Sequence, residues 1–450
     1  MSRSIIPKPP PMPPAGTRRR LLSALAASVL LACGVDNAPP DSAQPPHVFE
    51  APVPASTAAP TTASKTPQAL VLSLARFPVF EPGKQPVPLP AALEFLIPSP
   101  DGNWEVVTIE EPKSNVFHKA MSFPGPSGEA RLLTVTGSEA TVKIWQNREG
   151  ELAPTHVWQQ DFGGRSSRMR DVEIADLYND GSTALAVATH DQGVVAILRP
   201  APDGGFSVEE IDRQPHTFVH EIEIGDLDAD GVLEVYATPS EPNRLDGSPQ
   251  RGSVVRYVPA KGEGRSLVAD LGPRHAKEIL VDDIDGDGRD ELYVAVEGVV
   301  DKPTQRLEKP VEIRRYEAGT APSAGTRVAT IPDRFVRFLT VGEIEGDGQK
   351  EMVVAGFKSG LWLLRPQAKG FWKIKSIDLH SGGFEHASLL VDLNHDGRDE
   401  LYVASDKEKL VRRYTWDGTR LVGQVIHRRV ESADVYTWNL MPVPIDLVPR

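Results

Sequence analysis

A pattern of about twenty residues recurs along this chain of 450 residues. Its clearest copy, "KEILVDDIDGDGRDELYVAV" at residues 277–296, joins two apolar segments through a short acidic loop. A fixed spacing of this kind predicts repeated units, each of which buries its apolar faces against its neighbours. The glycines that mark the loops lie 49 to 60 residues apart, at Gly128, Gly181, Gly231, Gly288, Gly348 and Gly397.

Each unit contains four predicted antiparallel strands, two flanking the loop and two in a following hairpin, as in a propeller blade. Six units lie between residues 117 and 426, and residues 93–109 form one further hairpin. The segments 434–445 and 69–75 supply the inner and second strands that this hairpin lacks. Ring closure removes exposed sheet edges. The sequence therefore predicts an all-β fold, a seven-bladed β-propeller whose ring closes by joining N- and C-terminal strands.

Four of the loops carry acids at alternate positions around the glycine. Calcium binds about six to eight oxygen ligands, and glycine permits the left-handed turn that such a loop needs. A backbone carbonyl after the glycine and an acid three residues beyond it complete the set. The predicted ligands are Asp226, Asp228, Asp230, Val232 and Glu234; Asp283, Asp285, Asp287, Arg289 and Glu291; Glu343, Glu345, Asp347 and Glu351; and Asp392, Asn394, Asp396, Arg398 and Glu400.

Two copies of the loop depart from the pattern. Glutamates replace two aspartates at Glu343 and Glu345, and their longer side chains alter the geometry of that loop. The loop around Asp176 has Tyr178 and Ala184 where the others have acids. We therefore predict three to four structural calcium sites, which would stabilise the folded state by binding it alone. The alternative is a set of solvated acidic turns without an ion.

The loops resemble the D-x-D-x-D-G-x-x-[DE] pattern of FG-GAP and VCBS repeats, which form integrin-type β-propellers. The resemblance covers residues 115–405 as clear repeats and 69–450 as a closed ring. It implies that the calcium hairpins lie on one face of the ring. It also implies that the strand starts surround the central channel on the opposite face.

A basic residue recurs eleven positions before the loop glycine, which predicts a cluster at the channel mouth. An acid follows directly in three units, at Asp171, Glu221 and Glu278. One interpretation is ion pairing between blades; the other is an anion-binding mouth for the uronates or sulfates of a polysaccharide. The candidate ligand-binding residues are Arg170, His220, Lys277, Arg337 and His386.

The sequence favours a non-catalytic binding or scaffold module for a glycan or protein ligand. It has no nucleophile motif, phosphate-binding loop or dinucleotide fingerprint. A formal net charge of −13 argues against nucleic acid as a partner. The alternative is a lyase-like, polysaccharide-cleaving enzyme, with His220, His386, Arg170 and Arg337 as its candidate catalytic residues.

The first residues predict export to the cell envelope. Three arginines precede an apolar run at residues 21–32, which is too short to span a bilayer but suits a signal peptide. The following "LLACG" resembles a bacterial lipobox, with lipidation at Cys33 and, from Gly34, sorting to the outer membrane. The alternative is a secretory signal with a chance cysteine. We predict a signal peptide (1–33), a disordered Pro/Ala/Ser/Thr-rich tether (34–68) and the propeller (69–450).

Overall fold

The computed structural model describes residues 67–77, 89–137, 140–163, 167–190, 192–202, 205–239, 241–430 and 433–450. The predicted signal peptide, Cys33 and almost all of the tether lie outside these ranges. The described residues form thirty β-strands and three short 3-10 turns. None of the described residues belongs to a helix of the length and apolarity that crossing a membrane requires.

The first half of the chain contains fifteen strands. They are β1 (Gln68–Phe77), β2 (Ala91–Pro98), β3 (Trp104–Glu111), β4 (Phe117–Pro124), β5 (Ala130–Thr136), β6 (Thr141–Arg148), β7 (Glu151–Gln159), β8 (Met169–Ala175), β9 (Ala184–Thr189), β10 (Val194–Pro200), β11 (Phe206–Arg213), β12 (Val219–Gly225), β13 (Glu234–Pro239), β14 (Gly252–Val258) and β15 (Glu263–Gly272).

The second half continues the same order. Its strands are β16 (Ala276–Asp282), β17 (Glu291–Val296), β18 (Val299–Val300), β19 (Leu307–Lys309), β20 (Val311–Tyr316), β21 (Thr326–Ile331), β22 (Val336–Gly342), β23 (Glu351–Gly356), β24 (Leu361–Gln367), β25 (Phe371–Asp378), β26 (His386–Val391), β27 (Glu400–Ser405), β28 (Leu410–Trp416), β29 (Leu421–Arg428) and β30 (Asp434–Pro444). The 3-10 turns are Pro259–Lys261, Ala368–Gly370 and Ile445–Leu447.

These strands form seven four-stranded antiparallel sheets, so the predicted seven-bladed β-propeller is confirmed. The inner strands of the blades are β4, β8, β12, β16, β22, β26 and β30, and each contacts the inner strands of both neighbouring blades. The contacts return from β30 to β4 and close the ring. The sequence did not predict the small β18–β19 hairpin, which is inserted between the second and third strands of one blade.

The closing blade joins the two ends of the described chain. Strand β30 pairs with β1 from Gln68 opposite Pro444 to Phe77 opposite Asp434, and β1 pairs with β2. The predicted inner strand at 434–445 and second strand at 69–75 are therefore confirmed. Because the partners are far apart in sequence, their pairing forms only after a long loop has closed, which costs conformational entropy.

The core lies between neighbouring blades. Successive side chains of a strand point to opposite faces of its sheet. In β1, Val71 packs in the apolar cluster that contains Phe117, on one side of the closing blade. Its neighbour Leu72 packs with Leu440 and Tyr402 on the other side. Each blade therefore contributes to two interfaces, which explains why second strands such as β1, β9 and β17 are buried at nearly every position.

We predict that Leu440→Ala lowers the free energy of unfolding by about 3 kcal/mol, because it leaves a cavity in the blade that closes the ring. Leu440 is 1% exposed and belongs to β30. The measurement is the midpoint of urea unfolding. Val430→Ala is the control, since Val430 is 89% exposed and its truncation should change stability by less than about 0.5 kcal/mol. Equal losses in the two variants would contradict the proposed importance of this closure.

Candidate functional site

The two ends of the ring carry different chemistry. In the blade that begins with β16, the acidic loop follows Asp282, which pairs with Glu291 at one end of the sheet. At the other end, Ala276 pairs with Val296. The basic residues predicted from the sequence lie near this second end, as Lys277 does. The acidic hairpins and the candidate ligand-binding residues therefore occupy opposite ends of the inner strands.

The Asp283 hairpin has the geometry of a cation site. The Asp283 carboxylate accepts three backbone hydrogen bonds, at 2.8, 3.1 and 2.9 Å, from the N–H groups of residues 286–288. Oxygens of Asp283, Asp285, Asp287 and Glu291 lie within 4.8 Å of one another. Calcium–oxygen distances are about 2.3–2.6 Å, so two oxygens on opposite sides of a calcium ion lie about 5 Å apart. The separation of the oxygens in this hairpin agrees with that value. The residues of this hairpin therefore fit calcium.

A second hairpin brings three of its four predicted acids together. Oxygens of Asp226, Asp228 and Asp230 lie within 4.8 Å of one another. The fourth predicted acid, Glu234, is buried, accepts a hydrogen bond of 3.0 Å from the backbone of Leu227 and contacts Tyr236. Glu234 is held by these backbone and phenol contacts and does not join the three aspartates within that distance.

The other two hairpins keep the backbone turn but not the convergence of acids. Glu343 and Asp392 each accept the N–H of the loop glycine, at 2.7 and 2.8 Å. Among the residues that the structure describes, neither hairpin brings three acid side chains within the 4.8 Å seen in the first two. Calcium binding by these hairpins stays a prediction, as it does for the first two.

In each of three blades, an arginine of the third strand contacts the acids of that blade's hairpin, which the sequence patterns did not predict. Arg315 lies 2.7 Å from Asp285 and also contacts Glu291. Burial raises the pKa of Glu291 to about 7, and the guanidinium opposes this shift. The signal was present in the sequence, because arginine recurs in the third strands of these blades. The residues are Arg256, Arg315 and Arg365, and Arg199 contacts Asp180 in the weaker hairpin.

The predicted basic residues at the opposite end are all buried, and two of them form ion pairs. Arg337 is 2% exposed and contacts Glu385, which precedes the inner strand of the next blade. Lys277 lies 3.4 Å from Glu241 and 3.9 Å from Glu297. These contacts support the interpretation that the basic residues join neighbouring blades.

The two histidines differ. Burial lowers the pKa of His386 to about 4, so its ring is neutral. Its Nδ1 donates to the carbonyl of Gly356 at 2.8 Å, and its Nε2 accepts from the Ser381 hydroxyl at 2.7 Å. His220 instead contacts the Arg170 guanidinium, whose Nη2 lies 3.1 Å from both ring nitrogens. Only Arg170 and His220, of the four candidate catalytic residues, contact each other in these interactions.

The acids on the inner strands differ in whether they have a partner. Asp171 has one, since it lies 3.1 Å from Lys119 on the inner strand of the neighbouring blade. Within the described part of the chain, the carboxylates of Glu223 and Glu278 form no hydrogen bond or ion pair. Burial raises the pKa of Glu278 to about 8. A buried carboxylate without a partner is costly unless it takes up a proton or a cation.

A group of aromatic and cationic side chains lies at the same end as Arg337. Phe335 stacks on Phe357 with ring centroids 4.4 Å apart, and the Arg334 guanidinium lies 4.6 and 4.7 Å from the two rings. Lys358 is 5.0 Å from Phe357, and Phe384 contacts Phe335 edge to face. We call these five residues the aromatic patch. Neither Arg334 nor Lys358 pairs with a carboxylate of the described chain.

The aromatic patch was not predicted from the sequence either. Its phenylalanines are half-buried and lie just before β22 and β26 and just after β23. Two of them lie two residues before a predicted basic residue: Phe335 before Arg337 in "RFVRF", and Phe384 before His386 in "GGFEH". A search for aromatics next to the recurring basic residue would have found two of the three.

Comparison with known proteins supports the fold alone. No protein-family model and no curated protein matches the sequence. A solved structure from Lactobacillus plantarum is similar at 12% identity and a TM-score of 0.52, over 84% of this chain and 99% of that one. A periplasmic gluconolactonase of Pseudomonas aeruginosa is similar at 15% identity and a TM-score of 0.47, over 83% and 99%. The resemblance to FG-GAP and VCBS repeats stays a prediction.

We predict that Arg315→Met lowers the free energy of unfolding by about 3 kcal/mol in a chelator, because it leaves buried Glu291 without its guanidinium. Added calcium should restore much of this loss and stabilise the variant more than the unchanged protein, because calcium binds the folded state. The measurement is chemical unfolding with and without calcium.

Arg199→Met is the matched control for this experiment. Arg199 and Asp180 are both 39% exposed, and their hairpin lacks the full set of acids. The substitution should cost less than about 1 kcal/mol. It should leave the calcium response equal to that of the unchanged protein. If calcium stabilises Arg315→Met no more than Arg199→Met, the Asp283 hairpin is an acidic turn without an ion.

Proposed function

We propose that this protein is a calcium-stabilised, non-catalytic binding propeller of the bacterial cell envelope. Its ligand is an anionic glycan, which it binds at the end of the ring opposite the acidic hairpins. The aromatic patch is the observation that carries this proposal. Calcium in the hairpins would stabilise the blades, with Asp283, Asp285, Asp287 and Glu291 as the best-placed ligands.

The aromatic patch combines the two features that an acidic sugar needs. Phe335, Phe357 and Phe384 are half-buried, so part of each ring remains available for an apolar face of a ligand. Arg334 and Lys358 pair with no carboxylate of the described chain. They can therefore donate charge-assisted hydrogen bonds to a carboxylate or sulfate. A protein ligand with an acidic surface would use the same cations but would have no need of stacked rings.

The enzymatic alternative is supported by one contact. Burial lowers the pKa of His220 well below its usual range, and Arg170 lowers it further. A neutral imidazole beside a guanidinium is the pair that a lyase needs for proton abstraction next to a uronate. His386 and Arg337 are engaged within the protein, and for this reason we favour binding without catalysis.

We predict that Arg334→Ala and Phe357→Ala each weaken binding to polygalacturonate or heparin about tenfold or more, because anchor residues carry most of the binding free energy. The measurement is isothermal titration of the purified chain, with neutral dextran as a non-binding polysaccharide. Lys369→Ala is the control, since Lys369 lies in the turn between β24 and β25 at the opposite end.

Two results would change the proposal. Equal affinities for all variants would remove the aromatic patch as the binding site. Appearance of an unsaturated product, lost in His220→Ala, would establish the lyase instead.

The anchoring at Cys33 is a separate part of the proposal. We predict that the protein fractionates with outer membranes and that Cys33→Ser releases it to the soluble fraction, because the variant lacks the sulfur that carries the lipid. Metabolic labelling with palmitate checks the modification. Export of a soluble, unlabelled protein would favour a secretory signal with a chance cysteine.

A further inference from the structure

A second kind of cluster of potential metal ligands lies on the inner strands rather than in the hairpins. Ligand atoms of His220 and Glu221 on β12 and of Glu278 on β16 lie within 4.8 Å of one another. None of these residues belongs to the predicted calcium loops. The site is also separate from the aromatic patch, so it stands independently of the proposed function.

The charges around these residues are unbalanced. Lys119 is shared by Asp171 and Glu173, and Arg337 pairs with Glu385. Of the three glutamates that remain, Glu221 and Glu278 lie near Arg170, and Glu278 also lies near Arg337. Glu223 lies near Lys119, which already pairs with two other acids. Acids outnumber the permanent cations around these three glutamates. The local charge is therefore negative, which favours an additional cation.

Glu278 supplies the second observation. Its side chain is buried, with the residue only 5% exposed, and its carboxylate forms no hydrogen bond or ion pair with the described chain. It nevertheless points an oxygen towards His220 and Glu221. A buried carboxylate takes up a proton, forms an ion pair or coordinates a metal. A cation within reach of all three ligand atoms would replace the proton on Glu278.

We propose that His220, Glu221 and Glu278 bind a divalent transition-metal ion near the axis of the ring. An imidazole nitrogen combined with two carboxylates suits Zn²⁺ or Mn²⁺ better than calcium, which prefers oxygen ligands throughout. The two classes of site would therefore differ in selectivity, with calcium in the hairpins and an ion that accepts an imidazole nitrogen near the axis of the ring.

Arg170 would compete with the metal ion for His220. Its Nη2 lies 3.1 Å from both ring nitrogens of His220, and its guanidinium lies 5.1 Å from the Trp438 ring. A neutral imidazole has one acceptor nitrogen, which the guanidinium and a metal ion would compete for. Removing Arg170 should therefore strengthen metal binding, whereas removing a ligand should weaken it.

The experiment is equilibrium dialysis of the full chain against Zn²⁺ alone or Mn²⁺ alone, with excess calcium present to fill the hairpins. The chain carries Cys33→Ser so that no thiol binds zinc. We expect one transition-metal ion per chain. Glu278→Gln and His220→Ala should each weaken its binding at least tenfold, and Arg170→Met should tighten it. His380→Ala, which removes an exposed histidine elsewhere, should change nothing.

A spectroscopic measurement separates coordination from mere folding. Co²⁺ bound in place of zinc should give visible absorption that Glu278→Gln reduces and His220→Ala shifts or abolishes. If His220→Ala fails to fold, Glu278→Gln and Glu221→Gln decide the question. Failure of the unchanged protein to bind either ion would overturn the proposal. So would retention of full affinity by both glutamine variants.

Discussion

The pairing of β30 with β1 is the contact on which the rest of the structure depends. It joins residues more than three hundred positions apart and supplies the inner strand of the seventh blade. Without it, the blades on either side would each expose an apolar face, since every blade packs against two neighbours. Val71 and Leu72 show this directly, because consecutive residues of β1 belong to different inter-blade clusters. Closure of the ring therefore buries the apolar faces on both sides of the seventh blade.

The closed ring also brings charged side chains from separate repeats into contact. Lys119 on β4 contacts Asp171 on β8, and Arg337 on β22 contacts Glu385, which lies just before β26. Such buried pairs specify which blades are neighbours, although their net contribution to stability is limited by desolvation. The carboxylate of Glu278 differs from these acids, because no guanidinium or ammonium group of the described chain forms an ion pair with it. The distinction between paired and unpaired acids separates structural contacts from candidate sites at this end of the ring.

The sequence predicted the fold more fully than the site. The period of the glycines, the alternating strands and the odd hairpin at residues 93–109 were sufficient to count seven blades. The acidic loops were also found, because their ligands are local: Asp283 and its neighbours converge within one turn. The third-strand arginines escaped notice, since Arg315 meets Glu291 only after the two strands pair. The aromatic patch was missed for the same reason, because its rings come from the loops of two neighbouring blades.

The sequence by itself determined the repeat, the number of strands in each unit and the local chemistry of the acidic turns. These depend on residues near one another in the chain, and hydrophobic alternation and glycine geometry act over that range. Only the tertiary structure decided which recurring basic residues are already paired, as Arg337 and Lys277 are. It also decided which carboxylates remain unpaired, as Glu278 does. The physical reason is that burial and ion pairing between blades depend on distances that exist only once the ring has closed.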